Sequence, residues 1–361
     1  MNTFATRRGF GQAALGAATA LRMRASAKRP LEPLSPRVKI SLQIPVNFTD
    51  DDLAFAKQMG VGYVSIGTDN GTYEDFASIK QRVEAGGLKV GNIGNASVHN
   101  MPEVVLNLPG RDRKIESYKQ YLRDLSRAGI YYTTYGPAAS GVWSSPAEKT
   151  RGGATARAFH MNTATGHWRG QIFRPPFTHG RQYTEDEIWE NYTYFIRQVI
   201  PVAEECGVRI GVHPDDPPVP NLGGVPRCVF GNFAGFERAF KIANSPNLGV
   251  CLCCGTWMEG GKLMGKDVFE AVRAFAKMDK LWKIHLRNVT GPLPDFVETY
   301  IDDGYVDMKK LMRTIVESDF RGILIADHVP RMVGDNRTGT AFSIGYIRAL
   351  HDMAVDELRK S

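Results

Sequence analysis

RIGVHPDDPP (residues 209–218), NLGVCLCCG (247–255), WKIHLRNV (282–289) and GILIADH (322–328) are four short, strand-like apolar runs. Each closes on a side chain with chemistry to offer: His213, Cys253, His285 and Asp327. Successive members are 40, 32 and 42 residues apart, about the length of one strand-helix unit of a (β/α)8 barrel. In that architecture the carboxyl ends of all strands open on one face, where active sites are assembled. Two imidazoles, a thiolate and a carboxylate converging there make a four-ligand set for a divalent transition metal.

Reading outward from these runs, further strand-like segments occur at Val38–Ile44, Tyr63–Ile66, Leu88–Ile93 and Tyr131–Tyr135. Helical periodicity fills the intervals at Asp50–Met59, Tyr73–Ala85, Lys114–Ala128, Thr184–Cys206, Phe233–Ala243, Val268–Met278, Met308–Ser318 and Phe342–Leu358. Thr49 marks a helix start, and Thr184-Glu-Asp-Glu187 has the form of a capping box. Eight strands alternating with helices predict an α/β fold, a closed (β/α)8 TIM barrel in a single domain over residues 28–361. No glycine-rich phosphate loop follows the first strand, which argues against a nucleotide-binding open sheet. The rhythm breaks between residues 138 and 184, a Gly-, Thr- and Pro-rich stretch holding Trp143, His160, His167, Trp168 and His179. An insertion after the fourth strand sits at the barrel mouth, either as a lid or as a solvated excursion.

Residues 1–27 read as an export signal. Thr6-Arg7-Arg8-Gly9-Phe10 matches a twin-arginine pattern, a weakly apolar stretch follows, and Ala25-Ser26-Ala27 is a small-residue cleavage site. The expectation is a periplasmic protein. The net charge of +7 includes Arg7, Arg8, Arg22 and Arg24, so +3 remains without them. No basic stripe interleaved with aromatics is present, which excludes nucleic acid as an expected partner. No apolar run is long enough to span a bilayer. The oligomeric state stays open between a monomer and a homo-oligomer. The five cysteines, Cys206, Cys228, Cys251, Cys253 and Cys254, are odd in number and crowd into one strand, unlike a disulfide framework. Cys206, Cys251 and Cys254 read as small core residues.

In HPDDPP, His213 stands at a strand end before a proline-stiffened turn. In KIHLRN, His285 and Arg287 share a strand face, so a ligand lies beside a guanidinium suited to a carboxylate or polyol, or to a salt bridge closing the barrel end. In ADH, Asp327 and His328 are expected to point in different directions. Asp327 is therefore assigned to the metal and His328 to acid/base work.

From about Asn107 to Leu350 the chain resembles the mannonate dehydratases of hexuronate catabolism. LPGRDRKIESYKQYLRDLSRAGI, HPDDPP, the GGVPR around Arg227, GVCLCCG, IHLRNV, ETYIDDGYVDM and ADH fall in that family's order. The resemblance implies dehydration of D-mannonate, a small sugar acid, to 2-keto-3-deoxygluconate by a barrel using Mn2+, with Fe2+ or another divalent transition ion as the alternative. It implies His213, Cys253, His285 and Asp327 as metal ligands and His328 as the catalytic acid/base. Arg287 is the second catalytic candidate, and Arg227, Arg331 and Asn288 are the expected substrate contacts.

The chain departs from the family at three places. Asp-His-Gly-Arg is replaced by Asp327-His328-Val329-Pro330-Arg331, and Met332–Ile344 lacks the family's catalytic tyrosine. GIYYTTYGPAASGVW also replaces the usual fourth strand. Tyr135, Tyr305 or a residue of the insertion are the candidates to stand in for that tyrosine. Two other functions are compatible with the same ligands: a sugar isomerase or epimerase of the xylose-isomerase-like barrels, and a sugar-acid binding protein that keeps the metal as a clamp.

Overall fold

The computed structural model describes residues 28–360, so the export motif lies outside the described residues. Eight parallel strands, β1 (Lys39–Ile44), β2 (Tyr63–Thr68), β3 (Lys89–Asn95), β4 (Tyr132–Tyr135), β5 (Arg209–Val212), β6 (Leu248–Cys253), β7 (Leu281–Leu286) and β8 (Ile323–Ala326), lie in the order β3-β2-β1-β8-β7-β6-β5-β4. Each is followed by a helix: α1 (Asp50–Gln58), α2 (Tyr73–Ala85), α3 (Arg111–Arg127), α4 (Glu185–Cys206), α5 (Phe233–Ala243), α6 (Val268–Lys277), α7 (Met308–Glu317) and α8 (Asn336–Lys360). The expected TIM barrel is present. Among the described residues, no helix is long and apolar enough to cross a membrane.

Local chemistry explains where the helices begin. Thr49 with Asp52, Thr72 with Asp75, Thr184 with Glu187 and Asp267 with Glu270 form reciprocal capping boxes that satisfy otherwise unpaired amide N–H groups. α8 starts six residues before the expected Phe342, because its polar first turn carries no apolar period. Asp335 Oδ1 accepts from the amides of Arg337 and Thr338 at 2.9 and 3.2 Å and caps that turn.

The barrel closes without a backbone ladder between β3 and β4. Side chains make the joint instead: Thr134 N donates to Asn92 Oδ1 at 2.9 Å, and Thr133 Oγ1 donates to Ile93 O at 2.8 Å. The Tyr121 hydroxyl, from α3, also donates to Ile93 O at 2.8 Å. Polar residues in β4 that look unsuited to a core strand therefore have a defined task. The register slips between β2 and β3, and again between β6 and β7, where Val250 pairs with Leu281 but Cys251 pairs with Lys283. The extra residue, Trp282, bulges out of register, and Cys253 then lies opposite His285.

The insertion is a sheet rather than an irregular excursion. Strands Val142–Lys149, Thr155–His160, Thr165–Trp168 and Gln171–Phe173 pair antiparallel and are joined by Asp295–Thr299, which follows β7 in the chain. Val297 pairs with Ala158, and Thr155 exchanges backbone hydrogen bonds with Arg331 at 3.2 and 2.8 Å.

Thr133→Val preserves shape and removes the hydroxyl that bonds both Ile93 O and the Tyr121 hydroxyl, leaving Ile93 O its bond from Tyr121. Urea unfolding is expected to register a loss of about 1 kcal/mol; no change would mean that the seam bond contributes nothing to closure.

Candidate metal centre and its cavity

His213, Cys253 and His285 come from the ends of β5, β6 and β7, and their ligand atoms lie within 4.8 Å of one another. Asp327, one residue past β8, brings its carboxylate to 3.6 Å from Cys253 Sγ and 3.7 Å from His285 Nδ1. The chain thus gathers its four expected ligands from four consecutive strands.

The donor atoms suit a divalent transition ion. His213 Nδ1 lies 2.7 Å from Pro214 O, and because a carbonyl only accepts, Nδ1 carries the hydrogen and Nε2 the lone pair. His285 Nδ1 is buried with no hydrogen-bond partner among the described residues. Burial pulls both imidazoles below the ordinary histidine value, which keeps them neutral as ligands must be. Burial pushes the Cys253 thiol well up, against the pull of Arg287. Its sulfur accepts from Thr256 N at 3.4 Å and from Arg287 Nη1 at 2.9 Å, two donors placed to stabilise a thiolate once a cation displaces the proton. Burial opposes the charge of Asp327, but His328, His285 and Arg287 outweigh it and hold the carboxyl far below the usual range.

Arg287 stands behind these ligands and does not line the cavity. It is 2% exposed. Its Nη1 donates to Asp327 Oδ2 at 2.5 Å, its Nη2 meets Glu259 at 2.6 Å and Asp216 at 2.9 Å, and Nε lies 3.3 Å from Glu298. Gly255 makes room for it: a Cβ there would come within 2.2 Å of the Arg287 side chain. The salt-bridge reading of this residue is the one realised, although the guanidinium binds two metal ligands as well. Asn288 is buried in the same turn, donating to Val306 O at 2.8 Å.

A cavity of about 290 Å³ opens beside the ligands, lined by His213, His285, Asp327, His328, Arg227 and Lys283 among others. Arg227 reaches it while donating to Pro217 O at 2.8 Å and facing the carboxylates of Asp215 and Asp216. Arg331 stays on an adjoining groove that shares Gln43 and His328 with the cavity. Asp327 and His328 do not diverge as strand alternation predicts. β8 ends at Ala326, His328 adopts φ +47°, and both side chains turn to the cavity.

His328 Nδ1 is 2.8 Å from Glu298 Oε1, and 39% of the side chain is accessible. Burial works against its proton, yet Asp327 and Glu298 prevail and raise its pKa to about 9. No tyrosine lines the cavity. Tyr135 packs in an aromatic cluster with Tyr118 and Phe195, and the Tyr305 hydroxyl donates to Met258 O at 2.6 Å. Neither replaces the tyrosine absent from residues 332–344, and the insertion sends Val142 and Trp168 to the cavity wall instead. His160, His167 and His179 do not line it.

Sequence reading missed Glu259, Glu298, Arg157, His99 and Lys283. Arg157, from the insertion, meets Asp216 at 2.8 Å and Glu298 at 2.9 Å. His99 lines the cavity with a buried Nε2 that has no partner, and burial pulls its pKa down to about 4. His99 follows a strand-like run that ends at residue 93, and that position was the only available signal.

Cys253→Ala and Asp327→Asn are each expected to lower the bound-metal content measured by elemental analysis, whereas Cys228→Ser, away from the cluster, retains it. Arg287→Met leaves several buried carboxylates uncompensated and is expected to cost about 3 kcal/mol or more in unfolding free energy; a neutral effect would remove Arg287 from its organising role.

The D-mannonate dehydratase (UxuA) family model matches residues 67–167 and 169–361. The mannonate dehydratase of Geobacillus thermodenitrificans is 31% identical over 321 residues, 80% of this chain and 85% of the relative. The crystal structure of mannonate dehydratase from Streptococcus suis serotype 2 superposes with a TM-score of 0.78 at 25% identity, covering 90% of this chain and 95% of that one. A 3-keto-D-glucoside 4-epimerase from E. coli matches with a TM-score of 0.58 at 13% identity, covering 87% and 100%, a likeness of fold alone.

Proposed function

The chain belongs to the D-mannonate dehydratase family, and from that membership and the site we propose that it is a hydro-lyase converting D-mannonate to 2-keto-3-deoxy-D-gluconate and water. The observation that carries this reading is the His213, Cys253 and His285 cluster beside Asp327, opening on a cavity that His328 also enters. The overall change is loss of the proton on C2, α to the carboxylate, and of the hydroxyl on C3; the resulting enol becomes the 2-keto acid.

His213, Cys253, His285 and Asp327 hold a divalent ion, Mn2+ in this proposal with Fe2+ next. Such an ion supplies Lewis-acid polarisation of the substrate's oxygens. His328 gives a proton to the departing hydroxyl. Its raised pKa supports the charged form, and Glu298, kept ionised by His328, Arg287 and Arg157 against the cost of burial, fixes Nδ1–H so that Nε2–H is left for the substrate. Arg287 acts as a positioning residue, holding Cys253 and Asp327 from behind. Arg227, on the cavity wall, is the substrate contact that the geometry favours among Arg227, Arg331 and Asn288. The twin-arginine pattern before residue 28 supports placing this activity in the periplasm.

Incubating Mn2+-loaded protein with a panel of aldonic acids is expected to yield a 2-keto-3-deoxy acid from mannonate. Absence of product from every acid, with one equivalent of metal bound, would overturn the reading in favour of sugar isomerisation or epimerisation. His328→Gln should keep its metal and lose roughly 10²–10⁴-fold in kcat.

A further inference from the structure

Lys283 is a buried basic side chain that the fold leaves without a hydrogen bond or salt bridge among the described residues; burial works against its charged form, and the nearby Cys251 and Asp327 favour it. It lies on β7, two residues before His285, and therefore on the same strand face and about 6–7 Å deeper in the barrel. The Trp282 bulge sets this register, placing Lys283 opposite Cys251. The residue is 3% exposed, yet it borders the cavity together with Ser65, Asn92 and Thr134. No hydrogen bond or ion pair joins its ammonium to any described residue. A desolvated ammonium without a partner is costly, and an anion entering the cavity offsets that cost.

The other cations at the cavity are already committed. Arg227 has its charge balanced by Asp215 and Asp216, which leaves it to contact substrate hydroxyls rather than to compensate a further anion, and His328 is bonded to Glu298. Within the ligand set, the Cys253 thiolate and Asp327 carry two negative charges, which balance a divalent ion and leave a substrate carboxylate without compensation. The unpartnered Nε2 of His99, which also borders the cavity, adds a neutral group able to hydrogen-bond an oxygen there.

We propose that Lys283 is the carboxylate-anchoring residue of the substrate site, making this cavity selective for sugar acids over uncharged polyols, with His99 bonding a neighbouring oxygen. This rests on the sugar-acid reading of the site but not on dehydration itself.

Metal-loaded wild type, Lys283→Met and Lys283→Arg are titrated calorimetrically with D-mannonate and with D-mannitol, which keeps the hydroxyls and lacks the carboxylate. Metal content and thermal unfolding confirm that each variant is folded, and Lys283→Gln takes the place of Lys283→Met if the latter is not. Wild type is expected to prefer mannonate. Loss of one charge-assisted hydrogen bond should weaken mannonate binding about tenfold or more in Lys283→Met while mannitol binding is unchanged, with partial recovery in Lys283→Arg. Equal mannonate binding by wild type and Lys283→Met, equal losses for both probes, or no binding of mannonate by wild type would each overturn the proposal. A lysine-dependent preference for mannonate without any 2-keto-3-deoxy product would sustain the anchor and overturn the dehydration. Product formation with an unchanged KM in Lys283→Met would do the reverse.

Discussion

One buried guanidinium holds the mouth of this barrel together. Arg287 touches Asp216 after β5, Glu259 in the short helix after β6, Glu298 in the strand after β7, and Asp327 after β8. It also donates to Cys253 Sγ. A planar group with donors in a fixed fork can satisfy several carboxylates at set angles, which a lysine cannot. Four acids so close would repel and unfold the mouth without it. Glu259 shows the remaining tension: burial first, then Asp216, raises its pKa to about 7 despite Arg287 and Arg157.

The insertion is tied into the same network. Arg157 reaches Asp216 and Glu298, and the Asp295–Thr299 strand pairs with Thr155–His160, so the strand carrying Glu298 is built on the insertion. Glu298 in turn fixes His328. The sheet brings Arg157 to the mouth and clasps residue 331 through Thr155.

The legibility of the chain follows from the range of the interactions involved. Strand ends and helix caps depend on neighbours a few residues away, so His213, Cys253, His285 and Asp327 could be read as a set, as could the Thr184 cap. Residues 138–184 could not be read as a sheet. Their edge is completed by a strand more than a hundred residues later, and no local period announces such a partner. His328 defied the alternation rule because a left-handed backbone, not a strand, carries it.

Periodicity and spacing suffice to read the barrel and the four candidate ligands in their order, because both are local properties of the chain. What each charge is for emerges only in the folded chain. Arg287 and Arg331 look alike as letters, yet one is sealed among four carboxylates and the other lies on an outer groove. Lys283 reads as an interruption in an apolar strand until the bulge at Trp282 turns it into the cavity. The physical reason is that electrostatic roles depend on through-space distance and desolvation, which arise only once strands distant in sequence have been brought side by side.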